Sequence, residues 1–324
     1  MRVLLVTGGA GFIGSNFIQY VLKTGRDYLV VNYDNLTYAG NLKNLKEVEA
    51  HPSYHFIKGD ICDPGQINWT LNGYKPDYIV NFAAESHVDR SISGPMVFGE
   101  TNFIGTLNLL QSAYKFWGEH GFADKRFLQV STDEVYGSIE NDRDCFKEES
   151  NLMPNSPYSA SKAGADLMVR AFSKTYGFPA IVTRSCNNYG QYQHREKFIP
   201  TCITKALNDE PIPIYGDGTN VREWIHVLDN CAAVAKALLC GTPGEVYNIG
   251  SGEEVSNIAM ARMILNFFGK PEDMIVKVDD RPGHDWRYAL DSSKARTQLK
   301  WSCSYKLAEG IKETIEWYKN NLTW

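Results

Sequence analysis

Apolar and polar positions along the chain follow two periods that take turns. Arg2-Val3-Leu4-Leu5-Val6-Thr7 is an apolar run of buried-strand length, and Ser15 to Leu22 behind it places apolar residues at helical spacing. The alternation recurs. Tyr28 to Asp34, Tyr54 to Ile61, Tyr78 to Ala84, Arg126 to Val130 and Pro179 to Arg184 read as strands, whereas Phe103 to Phe116 and Ala163 to Tyr176 have helical periodicity. Strands alternating with helices predict an α/β fold on a doubly wound parallel sheet. From Asn187 onward the texture changes to loops rich in Pro, Gly, Tyr and Asn, with shorter elements between them. A smaller α/β substrate domain is expected there. Asp229 to Leu239 is helical and Glu245 to Ile249 is a strand, so the chain is expected to revisit its first domain. The division is then 1–185 with a return over about 223–250, interleaved with 186–222 and 251–324.

Composition narrows the function classes. Of 324 residues, 43% are hydrophobic and 22% charged, which are globular values, and the length allows a large core. The net charge of −5, without a run of Lys or Arg, gives no electrostatic footprint for nucleic acid or a membrane surface. Small-molecule chemistry is the default. No apolar run reaches a spanning length and no leader precedes the first strand, so a cytoplasmic protein is expected. Seven cysteines are scattered without C-x-x-C spacing, so they are read as reduced, mostly buried thiols and no metal site is expected.

The first strand runs directly into Gly8-Gly9-Ala10-Gly11-Phe12-Ile13-Gly14, and a helix follows. Such glycines let the backbone turn tightly and approach a pyrophosphate, which sits on free N–H groups at the helix N-terminus. The second strand ends in Asp34, 20 residues past Gly14, where a carboxylate accepts ribose hydroxyls and repels a 2′-phosphate. NAD is therefore favoured over NADP. Asp60 and Ile61 end the third strand at the adenine side, and Ala83 and Ala84 leave room for a ligand at the end of the fourth. His87 and Arg90, in a polar loop, suit either phosphate contact or a structural role. Asp280 to Asp285 is a charged turn that suits phosphates or the surface.

The densest chemistry runs from Val130 to Lys162. Ser131-Thr132-Asp133-Glu134-Val135-Tyr136-Gly137 closes a strand, and Pro157-Tyr158-Ser159-Ala160-Ser161-Lys162 opens a helix, with its proline at the first helical position. Tyr158 and Lys162 are four apart and share one face. Lys162 is expected to lower the Tyr158 pKa by stabilising the phenolate.

Together with Asn187-Asn188-Tyr189-Gly190, Asn81 to Ser91, Tyr215-Gly216-Asp217-Gly218, Tyr247 to Gly250 and Arg281-Pro282-Gly283-His284-Asp285, these stretches resemble the extended short-chain dehydrogenase/reductases with their Rossmann sheet. More narrowly, they resemble the nucleotide-sugar 4,6-dehydratases. The likeness covers essentially the whole chain. The Tyr/Lys pair marks the superfamily, while Thr132-Asp133-Glu134 marks the dehydratase branch.

The resemblance implies a three-step conversion of a nucleotide diphosphate hexose, dTDP-glucose first, to its 4-keto-6-deoxy product, with tightly bound NAD regenerated each turnover. Tyr158 is then the base at the C4 hydroxyl, Lys162 holds the cofactor ribose, and Thr132 bonds the C4 oxygen. Glu134 removes the C5 proton, and protonated Asp133 assists departure of the C6 hydroxyl. The expected cofactor contacts are Gly8, Gly11, Phe12, Ile13, Gly14, Asp34, Asn35, Asp60, Ile61, Ala83, Ala84, Ser86 and Thr101, besides Tyr158 and Lys162. The expected substrate contacts are Ser86, His87, Arg90, Thr132, Asn187, Lys197, Arg222, Asn257, Arg281 and His284, with cations matching the diphosphate. Gln191, Arg195, Leu228, Asn230 and Trp286 depart from the family pattern and put the thymidine or uridine preference in doubt. The same reaction on UDP-glucose, a UDP-sugar 4-epimerase and a non-catalytic NAD-binding regulator are the competing readings. A homodimer is also implied, joined through segments 101–118 and 158–175 as a four-helix bundle.

Overall fold

In a computed structural model, which describes residues 1–25, 27–119 and 121–322, β1 (Arg2–Thr7) leads into α1 (Phe12–Lys23), β2 (Tyr28–Asp34), β3 (Tyr54–Lys58), α2 (Pro64–Tyr74) and β4 (Tyr78–Asn81). Short helices α3 (Val88–Ser93) and α4 (Pro95–Phe98) and a π-helical stretch over Gly99–Gly105 run on into α5 (Thr106–Gly118). Next come β5 (Arg126–Thr132), α6 (Pro157–Tyr176), β6 (Ala180–Ser185), β7 (Asn187–Tyr189), α7 (Phe198–Leu207), β8 (Ile212–Tyr215) and β9 (Val221–His226). The chain closes with α8 (Val227–Cys240), β10 (Val246–Ile249), β11 (Glu254–Ser256), α9 (Asn257–Phe268), β12 (Ile275–Val278), α10 (Ser293–Gln298) and α11 (Leu307–Asn320).

Seven strands form one parallel sheet in the order β10-β6-β5-β4-β1-β2-β3. Neighbouring residues of one strand feed opposite cores. Leu4, Val30, Val80, Leu128 and Ile181 join the cluster under α1 and α8, while Leu5, Val31, Ile79, Phe127 and Val182 join the one under α5 and α6. Both faces are buried, which is why these strands are apolar throughout. The order reverses between β1 and β4, and open α/β sheets bind ligands at the carboxyl ends beside such a reversal. β10 returns to this sheet, whereas β9 pairs with β7 and β11 in a smaller one, so the return begins at α8. A third core, around Tyr189, Trp224, Ile203 and Ile311, joins α7, α9 and α11.

Some element bounds differ from the periodicity. The third strand stops at Lys58, and Gly59 follows with its missing side chain against the Tyr33 ring, where an added Cβ meets Tyr33 carbon at 2.2 Å. Asp60 and Ile61 therefore lie in the loop. The helix expected from Phe103 begins as the π-helical stretch, where Asn102 turns its amide to the loop after β4. Among the described residues no cysteine is paired; three of the seven are buried, two half-buried and two exposed, fewer inside than expected. No helix of the described residues is long and apolar enough to cross a membrane.

Candidate active site

The first wall of the site is the glycine turn. Gly8 has φ +69°, and a Cβ there would lie 2.5 Å from Ala83 N; one at Gly14 would lie 2.3 Å from Gly8 O. Only glycine lets β1, the turn and the end of β4 approach so closely. α1 has Gly11 at its N-cap, with no side-chain cap and no acid in its first turn, so its N–H groups are left for an anion. Asp34 closes this wall, its Oδ2 accepting from Ala10 N at 2.8 Å and Oδ1 from Leu36 N at 2.7 Å. Burial pushes its pKa up and the two N–H bonds oppose that. Each oxygen keeps a further lone pair for a hydroxyl. Uncapped helix, glycine cradle and carboxylate open into one cavity of about 560 Å3, and these residues fit a dinucleotide.

The second wall comes from β4, β5 and α6. Asn102 accepts from Glu85 N at 2.8 Å, donates to Glu85 O at 3.0 Å and also donates to the Ser161 hydroxyl at 2.8 Å, tying the loop after β4 to α6. α6 begins with a Ser156/Ser159 capping box and Pro157 at its first position. That start fixes where Tyr158 and Lys162 emerge. Opposite them, β5 ends at Thr132 and a 3-10 turn over Asp133–Tyr136 follows, with Asp133 Oδ1 accepting from Glu134 N at 3.0 Å.

Electrostatics divide the two acids. Burial raises the pKa of both, but Asp133 also feels the Glu134 charge and stands well above the usual carboxylate range. Its Oδ2 is buried and meets no hydrogen-bond partner among the described residues. Glu134 is raised less decisively, because Arg281, Arg222 and Lys197 draw it back down. The two carboxyls thus stand apart in the direction that a paired acid and base need, Asp133 pushed higher than Glu134.

The expectation for Lys162 needs correction. Tyr158 is pushed up, by burial first and then by Glu134 and Asp133, with the Thr132 hydroxyl opposing. The Lys162 ammonium instead donates to Val130 O at 2.7 Å, and burial brings its own pKa down to about 8, with Asp166 opposing. The pair is therefore a buried phenol and a buried ammonium one helical turn apart.

The substrate side gathers cations. Lys197 Nζ donates to Ser86 O at 2.6 Å. Arg222 donates to the backbone oxygens of Val221, Asp285 and Trp286, and among the described residues no carboxylate forms an ion pair with it. Arg281 lies 3.6 Å from Asp89, its Nε buried without a partner among the described residues, and His284 Nδ1 is 2.6 Å from Asp280 Oδ1.

All the expected catalytic and cofactor residues line this one cavity, as do Ser86, His87, Thr132, Asn187, Lys197, Arg222, Asn257, Arg281 and His284. Arg90 does not. Glu196 Oε2 at 3.0 Å and the Tyr38 ring, 4.1 Å from the guanidinium carbon, hold it outside. The departures from the family pattern do not reach the cavity either. Gln191 exchanges two bonds with Asn16 of α1, Arg195 bonds Leu322 O, Asn230 accepts from Ser185, and Trp286 N donates to Ser138. Sequence reasoning left His194, Glu196 and Val278 of the lining unassigned; Glu85 and Tyr215, also unassigned, stood in quoted motifs, which were their signal.

A doubly wound sheet carrying a Tyr/Lys pair opposite a glycine cradle defines an extended short-chain dehydrogenase/reductase. The chain belongs to the GDP-mannose 4,6 dehydratase family of that class, which matches residues 5–314. It is 47% identical over 336 residues to a dTDP-glucose 4,6-dehydratase of Xanthomonas campestris, covering all of this chain and 95% of that protein. It is 50% identical over 316 residues to the low-salt glycan biosynthesis protein Agl12 of Haloferax volcanii, covering 97% and 98% of the two chains. Among solved structures it resembles DesIV, a dTDP-glucose 4,6-dehydratase from Streptomyces venezuelae with NAD bound, at TM-score 0.94 and 47% identity over 100% of this chain and 98% of that one.

Proposed function

We propose that this chain catalyses the NAD-dependent 4,6-dehydration of dTDP-glucose to the 4-keto-6-deoxy sugar. The observation that carries the reading is the acid pair: Asp133 and Glu134 stand opposite Tyr158 in one buried cavity, with Asp133 held protonated more firmly than Glu134. Gly8 to Gly14 and Asp34 would hold NAD, which when bound would supply the hydride acceptor for C4 and the hydride donor for C6. Tyr158 takes the C4 hydroxyl proton while Thr132 bonds that oxygen. The ketone acidifies C5, so Glu134 removes its proton as Asp133 protonates the departing C6 hydroxyl, which leaves as water. Glu134 returns a proton to C5. The proton Tyr158 gained replaces the one Asp133 lost, and the site is reset. Lys197, Arg222 and Arg281 pair with the diphosphate and favour the ionised Glu134.

On this reading 1–185 with 227–250 holds the cofactor, and 186–226 with 251–324 holds the nucleotide sugar. A 4-epimerase has no use for the acid pair, and a regulator has none for the whole set. Turnover of dTDP-glucose, UDP-glucose and UDP-N-acetylglucosamine measured side by side, without added NAD, is expected to favour the first; no turnover of dTDP- or UDP-glucose sinks the assignment.

The proposal includes a homodimer through segments 101–118 and 158–175, supported by the apolar Ile104 of the π-helical stretch and Leu167 of α6, which are 45% and 54% exposed. Light scattering is expected to give twice the chain mass, and a monomer at assay concentration counts against it. The unpaired cysteines support a reducing, cytoplasmic setting.

A further inference from the structure

The connection from the acid turn to α6, residues 137–155, is zipped onto the segment that follows β12. Ile139 N donates to Arg287 O at 3.0 Å, Trp286 N to the Ser138 hydroxyl at 2.9 Å, Phe146 N to Ala289 O at 2.9 Å and Asp291 N to Phe146 O at 2.9 Å. Arg287 Nη1 adds bonds to the backbone oxygens of Asn141 and Asp144. The run ends at Asn155, one residue before the Ser156 cap and three before Tyr158. There Asn155 Nδ2 donates to Asp285 Oδ1 at 2.6 Å, and Gly283, at φ +66°, comes so near that a Cβ on it would lie 2.9 Å from Asn155 O. Asp285 is 5% exposed, and its other bonds lead the opposite way. Its backbone oxygen accepts from Arg222 Nη2 at 2.8 Å and Asn220 Nδ2 at 3.2 Å. Its Oδ2 accepts from the Tyr288 hydroxyl, and the Tyr288 ring lies 4.4 Å from the Arg222 guanidinium carbon.

We propose that Asp285 is a positioning residue that sets the base in register with the diphosphate anchor, holding Arg222 on one side and, through Asn155, the start of α6 on the other. The inference rests on the proposed function. The restraints on the first turns of α6 described above come from the cofactor side, where Asn102 bonds the Ser161 hydroxyl and Val130 O accepts from Lys162. They place Tyr158 against the cradle. The sugar, however, hangs from a diphosphate held by Lys197, Arg222 and Arg281, and oxidation needs its C4 hydroxyl within reach of Tyr158 while that anchor is engaged. Misplacement by about an ångström costs on the order of a hundred-fold in rate. Asn155 and Asp285 are where the base's helix and the anchor meet, and Asp285 does this without lining the cavity.

The first oxidation is read alone on a Glu134→Gln background, where reduced nicotinamide persists, and dTDP affinity is measured beside it by calorimetry. Asn155 is exposed, so Asn155→Ala is expected to fold and to break only the link to α6. Cofactor reduction by dTDP-glucose should then slow about ten-fold, with dTDP bound at its unaltered affinity. Asp285→Ala should slow reduction as much and also weaken dTDP binding, because the Tyr288 hydroxyl, and with it the ring beside Arg222, loses its acceptor. Asp285→Asn, whose amide oxygen accepts from Asn155, should restore both. The double variant Asn155→Ala/Asp285→Ala should reduce the cofactor no more slowly than Asp285→Ala alone, since both changes cut one link. A merely structural contact lowers thermal stability and leaves the reduction rate of Asn155→Ala unaltered. That result, additive losses in the double variant, or Asp285→Asn as slow as Asp285→Ala overturns the inference. Should Asp285→Ala not fold, the rate and affinity of Asn155→Ala decide alone. A parent chain that neither binds dTDP nor reduces its cofactor with dTDP-glucose fails the proposed function and the inference together, whereas unaltered values in Asn155→Ala fail the inference alone.

Discussion

Glu134→Gln is expected to build up reduced nicotinamide and release almost no product, with kcat lower by about 10²- to 10⁴-fold, the usual contribution of a positioned base. Glutamine keeps the volume and the backbone bond from Glu134 N to Asp133, so the first oxidation, which belongs to Tyr158, proceeds. The next proton has no acceptor. In the native chain Glu134 is half-buried, and Arg281, Arg222 and Lys197 oppose the desolvation that raises its pKa. Near-ultraviolet absorbance of the reduced cofactor, followed after mixing with substrate, should rise and persist. Normal turnover in this variant removes Glu134 from the elimination step.

Tyr158→Phe should stop the chemistry one step earlier. No reduced nicotinamide should form, and the rate should fall by about 10²- to 10⁴-fold for loss of the base. The fold should persist, since the edge-on contact with Phe98, ring centroids 6.4 Å apart, needs no hydroxyl. The native enzyme's pH dependence follows from the same groups. Tyr158 is pushed up from its ordinary value, so the phenolate fraction and the oxidation rate rise with pH through the neutral range. Lys162 carries its charge below its pKa of about 8 and loses it as pH rises through that value, after which the gain flattens. A pH–rate profile and stopped-flow absorbance check both statements. Visible cofactor reduction in the phenylalanine variant removes Tyr158 as the base.

Much of the scaffold was legible because local rules and tertiary structure agree. The second strand has the bounds its apolar run predicts, Tyr28–Asp34, and Pro157 opens α6 as its fixed φ requires. The glycine turn announced itself through spacing, since no other residue survives 2.5 Å from Ala83 N. What the sequence hid were competitions between partners distant in the chain. Arg90 looked free for phosphate until Glu196, 106 residues away, took it. Lys162 looked aimed at Tyr158, yet the Val130 carbonyl holds its ammonium and burial brings its pKa down to about 8, with Asp166 opposing. Gln191 and Arg195 stood out as departures in the substrate half, but they bond α1 and the C-terminal segment, outside the cavity. Spacing shows which side chains share a face, and it does not show what burial and remote partners do to their charge.

The measurement that tests the account most directly follows one hydrogen through a turnover. dTDP-glucose carrying deuterium at C4 is incubated with the purified chain without added NAD, and the product is examined by NMR. The account predicts a 4-keto-6-deoxy sugar with the deuterium at C6, and, in a parallel run of unlabelled substrate in D2O, deuterium entering at C5 where Glu134 exchanges its proton. Deuterium found back at C4 of a galactose or glucose product, as an epimerase gives, or no conversion at all, would contradict it.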